Sequence, residues 1–177
     1  MKKFFLLFGF LTILLLACGE KKVQPSVNNQ ISSDEIPDQE SWDSKIIFSE
    51  KGTLKAILFA DHLRVFENKK VTLIDGVKIF FYDKQGKKTS VLTSKRGRVN
   101  DVTKDMYAID SVVAVNDSGV VLKTEELVWK NKIKKITTDK FVTIDDKDEH
   151  IEGYGMEADD DLSNYTIFNV TYQARKR

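Results

Sequence analysis

Four glycines, Gly52, Gly86, Gly119 and Gly153, recur along the chain at a spacing of 33 or 34 residues. After a glycine comes a strand-like segment that holds apolar residues and a small Ala, Ser or Thr and ends in a polar residue, as in GTLKAILFAD, GKKTSVLTSK and GVVLKTEE. Repeats of this length are typical of stacked supersecondary units, because no single unit can bury its own apolar face. The spacing therefore predicts one continuous core, although hairpin glycines of an ordinary all-β chain are the simpler alternative.

Short segments rich in β-branched and aromatic residues occupy the intervals between these glycines. They are TLKAILFA (53–60), VKIFFYD (77–83), SVVAVND (111–117) and KFVTIDD (140–146). Gly, Asn and Asp bound the segments, which is the pattern of strands joined by tight turns. No window of a dozen residues keeps a helical apolar stripe, so we predict an all-β fold.

The N-terminal segment MKKFFLLFGFLTILLLAC has the three parts of a secretory signal: two lysines, an apolar run and a small residue before the cysteine. The apolar run is shorter than the roughly 20 residues that a membrane-spanning helix needs. The tetrad LLAC resembles a bacterial lipobox. It predicts that residues 1–17 are a cleaved signal peptide and that Cys18, the only cysteine, carries acyl chains such as palmitate. An uncleaved anchor helix is the alternative.

Residues 18–41 are polar and contain both prolines, so we predict a flexible tether between the lipid anchor and the rest of the chain. Residues 42–177 have the usual size of one domain with its own core. No cysteine remains there, so no disulfide stabilises the fold. Removal of the signal leaves 26 basic and 27 acidic residues, which lacks the basic excess that nucleic-acid binding demands.

Candidate catalytic groups are sparse. His62 and His150 have no second ligand at a metal-binding spacing. The acidic runs DDKDE (145–149) and EADDD (157–161) lack the glycine and terminal glutamate of a calcium loop. No nucleophile elbow and no phosphate-binding glycine loop is present. We therefore expect no enzymatic activity, no cofactor and no metal.

The order of these segments resembles the LptC family of lipopolysaccharide-export proteins. The resemblance is carried by GTLKAILFADHLRVFENKKVTLIDGVKIFFYDKQGKKTSVLTSKRGRV, LKTEELVW, ITTDKFVTI and IEGYGMEAD, and it covers residues 44–171. It implies a twisted open β-jellyroll of OstA-like fold, built from repeated antiparallel hairpins. It also implies a periplasmic domain at the inner membrane that receives lipopolysaccharide from an ABC transporter and passes it to an LptA-like bridge protein. Familiar members have a transmembrane anchor where this chain has LLAC.

A lipid carrier needs an elongated apolar interior that its own side chains do not fill. Alternation along the strands places candidate lipid-lining residues on one face. These residues are Leu54, Leu58, Ile79, Phe81, Leu122, Val142, Ile144, Phe168 and Val170. An ordinary filled core is the alternative for each of them. The alternative function is accordingly an envelope lipoprotein that serves as a scaffold and has no lipid groove.

The C-terminal segment NYTIFNVTYQ (164–173) is rich in apolar residues, and no charged residue follows before Arg175. We predict an edge strand suited to pairing with a strand of another protein. The segment EGYGMEAD precedes it, and its family counterpart lies near the end that faces the bridge protein. Two glycines within a strand permit a bend or a close backbone approach. The candidate partner-binding residues are Gly153, Gly155, Ile167, Phe168 and Val170.

Overall fold

The computed structural model describes residues 36–159 and 164–175, and every helix or strand assigned over these ranges is a β-strand. The strands are β1 (Gln39–Glu50), β2 (Thr53–Phe66), β3 (Val71–Tyr82), β4 (Lys88–Asn100), β5 (Met106–Asn116), β6 (Val121–Lys130), β7 (Lys135–Asp145), β8 (Glu149–Ala158) and β9 (Tyr165–Arg175). The all-β prediction is confirmed. Strand β1 begins three residues before the predicted domain boundary at residue 42. The predicted signal peptide, Cys18 and the tether up to residue 35 lie outside the described residues.

The strands form one antiparallel sheet in the order of the chain, from β1 at one edge to β9 at the other. This order confirms the predicted succession of hairpins. Polar turn residues satisfy the backbone donors of the loops. Asp83 Oδ1 accepts hydrogen bonds from the backbone N–H groups of Gln85 and Lys87, both at 2.9 Å, and Asn116 Oδ1 accepts one from Val120 at 2.9 Å. Such side chains favour tight turns because they replace backbone partners.

Three of the four repeated glycines lie in turns, as predicted. Gly52, Gly86 and Gly119 have φ angles of 79°, 79° and 95°, a left-handed conformation that glycine adopts without a steric penalty. The fourth is different, because Gly153 lies within β8 and pairs with Val142. The repeat, which would place Gly153 in a turn like the other three, therefore fails at this position. Gly153 lies within a strand, as predicted for EGYGMEAD, and residues 146–148 join β7 to β8 instead.

A line of residues without a partner in the pairing register crosses the sheet. In every strand these residues interrupt the alternation of inward and outward side chains. On β2, for example, Ala60 and Leu63 both contact the buried core, although strict alternation would place them on opposite faces. Asp61 between them is an extra residue that the pairing register skips. The skipped residues that form this line, called the crease, are Asp43, Asp61, Gly76, Lys95, Asp110, Ser111, Glu125, Asp139, Lys140, Gly155 and Phe168. Where two crease residues face one, as Asp110 and Ser111 face Glu125, the extra residue is a β-bulge, which bends the strand and increases its twist.

Buried hydroxyl groups replace some of the backbone hydrogen bonds that are lost at the crease. Ser94 Oγ donates a hydrogen bond to the carbonyl oxygen of Arg96 at 2.8 Å. Thr124 Oγ1 donates one to the carbonyl oxygen of Phe141, also at 2.8 Å. Both hydroxyl residues are buried, and buried backbone groups without a partner are costly. The Ser or Thr that precedes the polar residue in these repeats thus has a structural role.

The core shows that the sheet covers its own inward face. Val142 and Met156 are 0% exposed, although no helix or second sheet lies against them within residues 36–159 and 164–175. One buried cluster contains inward residues from both sides of the crease, such as Val142 from one side and Met156 from the other. We infer that the sheet bends over at the crease, since an apolar face needs a second layer to bury it. The predicted class, an open sheet of the β-jellyroll type, is confirmed.

Candidate lipid-binding interior and docking edge

One row of inward side chains crosses the described sheet from edge to edge, because each member lies directly opposite the next in the pairing register. This central row consists of Ile46, Leu58, Ile79, Leu92, Ala114, Leu122, Ile144, Ile151 and Gln173. Directly opposed side chains on one face of a sheet contact each other. The row therefore forms an apolar strip that ends in a polar residue at the β9 edge.

Burial along the central row differs between the two sides of the sheet. Leu122 in β6 and Ile144 in β7 are each 1% exposed, whereas Ile79 in β3 and Ile46 in β1 are only half-buried. Protein interiors are packed as densely as organic crystals, so a side chain without exposure leaves no room for a ligand. Within the central row, the half-buried apolar members thus lie on β1 and β3, on either side of the buried Leu58.

The structure divides seven of the nine predicted lipid-lining residues into two groups. The first group belongs to the buried core and consists of Leu58, Leu122, Val142 and Ile144. The second group is half-buried on β2 and β3 and consists of Leu54, Ile79 and Phe81. The alternation that selected both groups identified the inward face correctly. Only the second group offers accessible apolar surface.

Phe168 and Val170 do not extend the buried inward set. Phe168 is a crease residue and is 61% exposed, so its predicted inward position is wrong. Val170 lies opposite the inward Gly153, but it is 52% exposed because β9 has a strand on one side only. A two-residue periodicity cannot detect the extra residue that shifts the pattern at Phe168.

Strand β9 is an edge of the sheet, as predicted. Tyr165 and Ile167 pack against the core, whereas Phe168, Val170 and Tyr172 are exposed. An edge strand presents unpaired N–H and C=O groups and is a template for a further strand. Exposed apolar side chains next to this edge can add contact area to such a pairing.

The two glycines of β8 permit a close approach between β8 and β9. A Cβ atom on Gly153 would lie 2.5 Å from the carbonyl oxygen of Asn169 and 2.6 Å from a methyl group of Ile167. Gly155 has a φ of 73°, and a Cβ atom there would lie 3.0 Å from the ring of Phe168. Both glycines are buried against β9, so any influence on a partner would act through the position of that strand.

A histidine with two carboxylates lies beside the end of the same edge. His150 Nδ1 is 2.8 Å from Asp145 Oδ1, and His150 Nε2 is 3.0 Å from Glu152 Oε1. The hydrogen bonds to Glu152 and to Asp145 raise the pKa of His150 above its ordinary value of 6.5. The imidazole also contacts the ring of Tyr172 on β9 edge to face, with 6.0 Å between the ring centroids. Protonation of His150 thus favours this hydrogen-bonded arrangement, in which His150 on β8 contacts Asp145 on β7 and Tyr172 on β9.

Sequence reasoning missed the inward residues of β1. Ile46 packs against the buried cluster, and Phe48 lies opposite the inward Ala56. The signal was present, because Ser44, Ile46 and Phe48 form an every-second-residue pattern. The apolar outward residue Ile47 obscured that pattern.

No group of three or more His, Cys, Asp or Glu side chains in the described part of the chain is arranged to hold a metal ion. Within the same residues, no helix has the length and apolar character needed to cross a membrane.

Comparison with known protein families gives a match over residues 5–172 to the model described as lipopolysaccharide-assembly, LptC-related. The matched range includes all of β1 to β8 and most of β9. No curated protein is significantly similar to the chain.

Proposed function

Because the chain belongs to the LptC-related family of lipopolysaccharide-assembly proteins, we propose that its half-buried inward surface carries the acyl chains of lipopolysaccharide. Family membership assigns the protein a part in lipopolysaccharide transport, at the periplasmic side of the inner membrane. The proposal adds a mechanism. The domain receives the lipid from an inner-membrane ABC transporter and passes it to a periplasmic bridge protein of the β-jellyroll type.

The observation that carries the proposal is the uneven burial of the inward face. Leu54, Ile79 and Phe81 are inward and apolar, yet they keep solvent exposure on β2 and β3. Burial of one methylene group is worth about 0.8 kcal/mol, so an acyl chain laid along these residues would gain stability with each carbon that it buries. The lipid head group would remain in water at the open side.

The handover to the bridge protein is assigned to β9. Its unpaired edge and the exposed side chains of Phe168, Val170 and Tyr172 support pairing with a strand of the next jellyroll. Pairing between two different edges is heterologous, so it extends an inward face from one protein into the next instead of closing a symmetric dimer. Ile167 holds β9 against the domain, because its side chain packs against the core.

Acylation of Cys18 is proposed as the membrane attachment. Two or more acyl chains hold a protein at a membrane far more durably than one chain does. A lipid anchor would therefore replace the transmembrane helix of familiar members and keep the domain close to the transporter.

Photo-crosslinking tests the lipid-carrying interior. The photoreactive residue benzoylphenylalanine replaces Ile79 or Phe81, and the full chain is illuminated in the presence of lipopolysaccharide. We expect lipid adducts at both positions. Phe141 serves as the control position, because it is exposed on the outward face of β7. Adducts at Phe141 should be rare, since no inward surface is near.

The same experiment separates the conduit from the scaffold alternative. A scaffold without a lipid groove would give equal and low adduct yields at Ile79, Phe81 and Phe141. That result would contradict the proposal. Lipopolysaccharide without acyl chains should not compete for the adduct, because the proposed contact is with the hydrocarbon.

A further inference from the structure

The outward face of the sheet carries a second apolar row, which the proposed function does not use. This outer apolar row runs across six neighbouring strands and consists of Ile47, Ile57, Phe80, Val91, Val115 and Val121. Ile47 is 58% exposed, and none of the six side chains is buried. With neighbouring strands about 4.8 Å apart, the row is about 24 Å long. Contiguous apolar surface that is exposed to water usually marks an interaction site.

Basic side chains accompany the outer apolar row. The adjacent outward row contains Lys45, Phe59, Lys78 and Lys123 on β1, β2, β3 and β6. No acidic residue occurs in either row from β1 to β6. The charge of these rows changes on β7 and β8. The outer apolar row continues with Asp145 on β7, and the adjacent row reaches Glu152 on β8. In these two rows, lysines thus occur only on β1 to β6.

The lysines of this face lie over aromatic rings. Phe80 has Lys78 Nζ at 5.2 Å and Lys88 Nζ at 5.5 Å from its ring centroid, and Lys45 Nζ is 5.9 Å from that of Phe59. The two rings contact each other edge to face at 5.8 Å. None of these three lysines forms an ion pair with a described residue. Their charges remain available to an external anion.

We propose that this outward face of β1 to β6 rests on an anionic phospholipid surface. Aromatic and aliphatic side chains suit the boundary between head groups and hydrocarbon, and basic side chains beside them attract anionic lipids. Lysine stems lie along apolar surface while their charged ends reach the head groups. The apolar side chains are spread along one row, which suits a fluid surface better than the localised anchor residues of a protein interface do.

Phospholipid vesicles without lipopolysaccharide test this inference independently of the proposed function. The full chain is reconstituted in vesicles that contain phosphatidylglycerol and phosphatidylcholine, with benzoylphenylalanine at Phe59. The control position is Phe141, whose exposed fraction of 38% matches the 37% of Phe59. Both variants keep the same N-terminal segment, so we expect them to bind the vesicles in equal amounts.

We expect phospholipid adducts at Phe59 and few at Phe141. Replacement of phosphatidylglycerol by phosphatidylcholine should reduce the Phe59 adduct, and so should high salt, because the attraction is electrostatic. Lys78→Gln should lower it about fivefold, the factor expected for one basic residue near an anionic surface. Equal adduct yields at the two positions would overturn the inference. Crosslinks from Phe59 to another protein molecule in place of lipid would also overturn it.

Discussion

The position that a Cβ atom would take on Gly153 lies 2.5 Å from the carbonyl oxygen of Asn169 on the neighbouring strand. The obstacle is a backbone atom, which cannot rotate away as the end of a flexible side chain can. The distance between β8 and the edge strand β9 therefore depends on the absence of a side chain at Gly153. Because β9 is also the proposed docking edge, this one contact links stability to partner binding.

Gly153→Ala should destabilise the domain. Extra volume in a packed site typically lowers the free energy of unfolding by about 1–3 kcal/mol, and urea unfolding measures this change. Gly97→Ala is the comparison variant, because the nearest obstacle to its Cβ atom is a methyl group of Val77 at 2.9 Å. We expect a smaller loss for Gly97→Ala. A Gly153→Ala variant as stable as the parent would show that β9 moves away without cost.

The crease should be sensitive to a side chain at Gly76. This residue has a φ of 66°, and its Cβ atom would collide with the carboxylate of Asp61. Gly52 is the matched control, since its φ is 79° but no atom lies within 4 Å. Both alanine variants bear the left-handed penalty of about 1–2 kcal/mol, so the additional loss in Gly76→Ala measures the collision.

A second substitution checks this explanation of the crease. Asp61→Ala in the Gly76→Ala background removes the colliding carboxylate and should restore part of the lost stability, as measured by a double-mutant cycle. If the two losses simply add, Asp61 and Gly76 do not interact in the manner described.

His150 should make stability depend on pH. Its pKa is raised in the folded protein by hydrogen bonds to Glu152 and Asp145, so protonation favours the folded state. The contribution is complete below the ordinary pKa of 6.5 and is lost as the pH rises through the higher folded pKa. We therefore expect the stability advantage of the parent over His150→Gln to shrink as the pH rises above the ordinary pKa of 6.5. Denaturant unfolding at several pH values measures it.

Glu152→Gln provides the internal check for His150. The hydrogen bond to Glu152 is the largest cause of the raised pKa, so its loss should bring the pKa of His150 closer to the ordinary value. If stability depends on pH in the same way in the parent, in His150→Gln and in Glu152→Gln, then His150, Glu152 and Asp145 do not interact in solution.

Phe168→Lys should weaken binding of the bridge protein and leave the fold intact. The side chain is 61% exposed, and charge on an edge strand discourages strand pairing. Loss of a central aromatic contact usually costs more than 1 kcal/mol, which corresponds to an affinity about fivefold to tenfold lower. Tyr154→Lys is the control, because Tyr154 is similarly exposed but lies on β8. Equal binding by both variants, with unchanged circular dichroism, would contradict docking through β9.

Cys18→Ala should prevent lipid attachment. If Cys18 is the acylated first residue of the mature protein, the variant will remain an unprocessed precursor or will leave the membrane. Incorporation of labelled palmitate and the mass of the product measure both effects. Normal processing and membrane retention of the variant would refute acylation of Cys18.

The sequence was sufficient to predict the all-β fold, most of its strands and most of its turns. Alternating residues such as Leu54, Ala56 and Leu58 identify an inward face, and glycines with positive φ identify the hairpins. Strand β1 was missed because apolar Ile47 lies on its outward face.

The crease and the uneven burial could not be predicted from the sequence. A crease residue such as Asp61 looks like any polar residue that ends a strand, yet the strand continues past it. Likewise, Ile79 and Ile144 are both apolar members of inward patterns, and only the position of their strands in the sheet determines that one is half-buried and the other 1% exposed. Burial depends on neighbours that are distant in sequence, and periodicity does not report these.

The pairing of each strand with its immediate predecessor has a consequence for biogenesis. A strand that leaves an export channel finds its partner already outside, and the loops to be closed contain only two to six residues. Short loops cost little entropy to close, and local contacts form quickly. The sheet can therefore grow from β1 onward while the C-terminal part of the chain is still in transit. Until β9 arrives, β8 is the growing end, and its two glycines are the last surface to be covered.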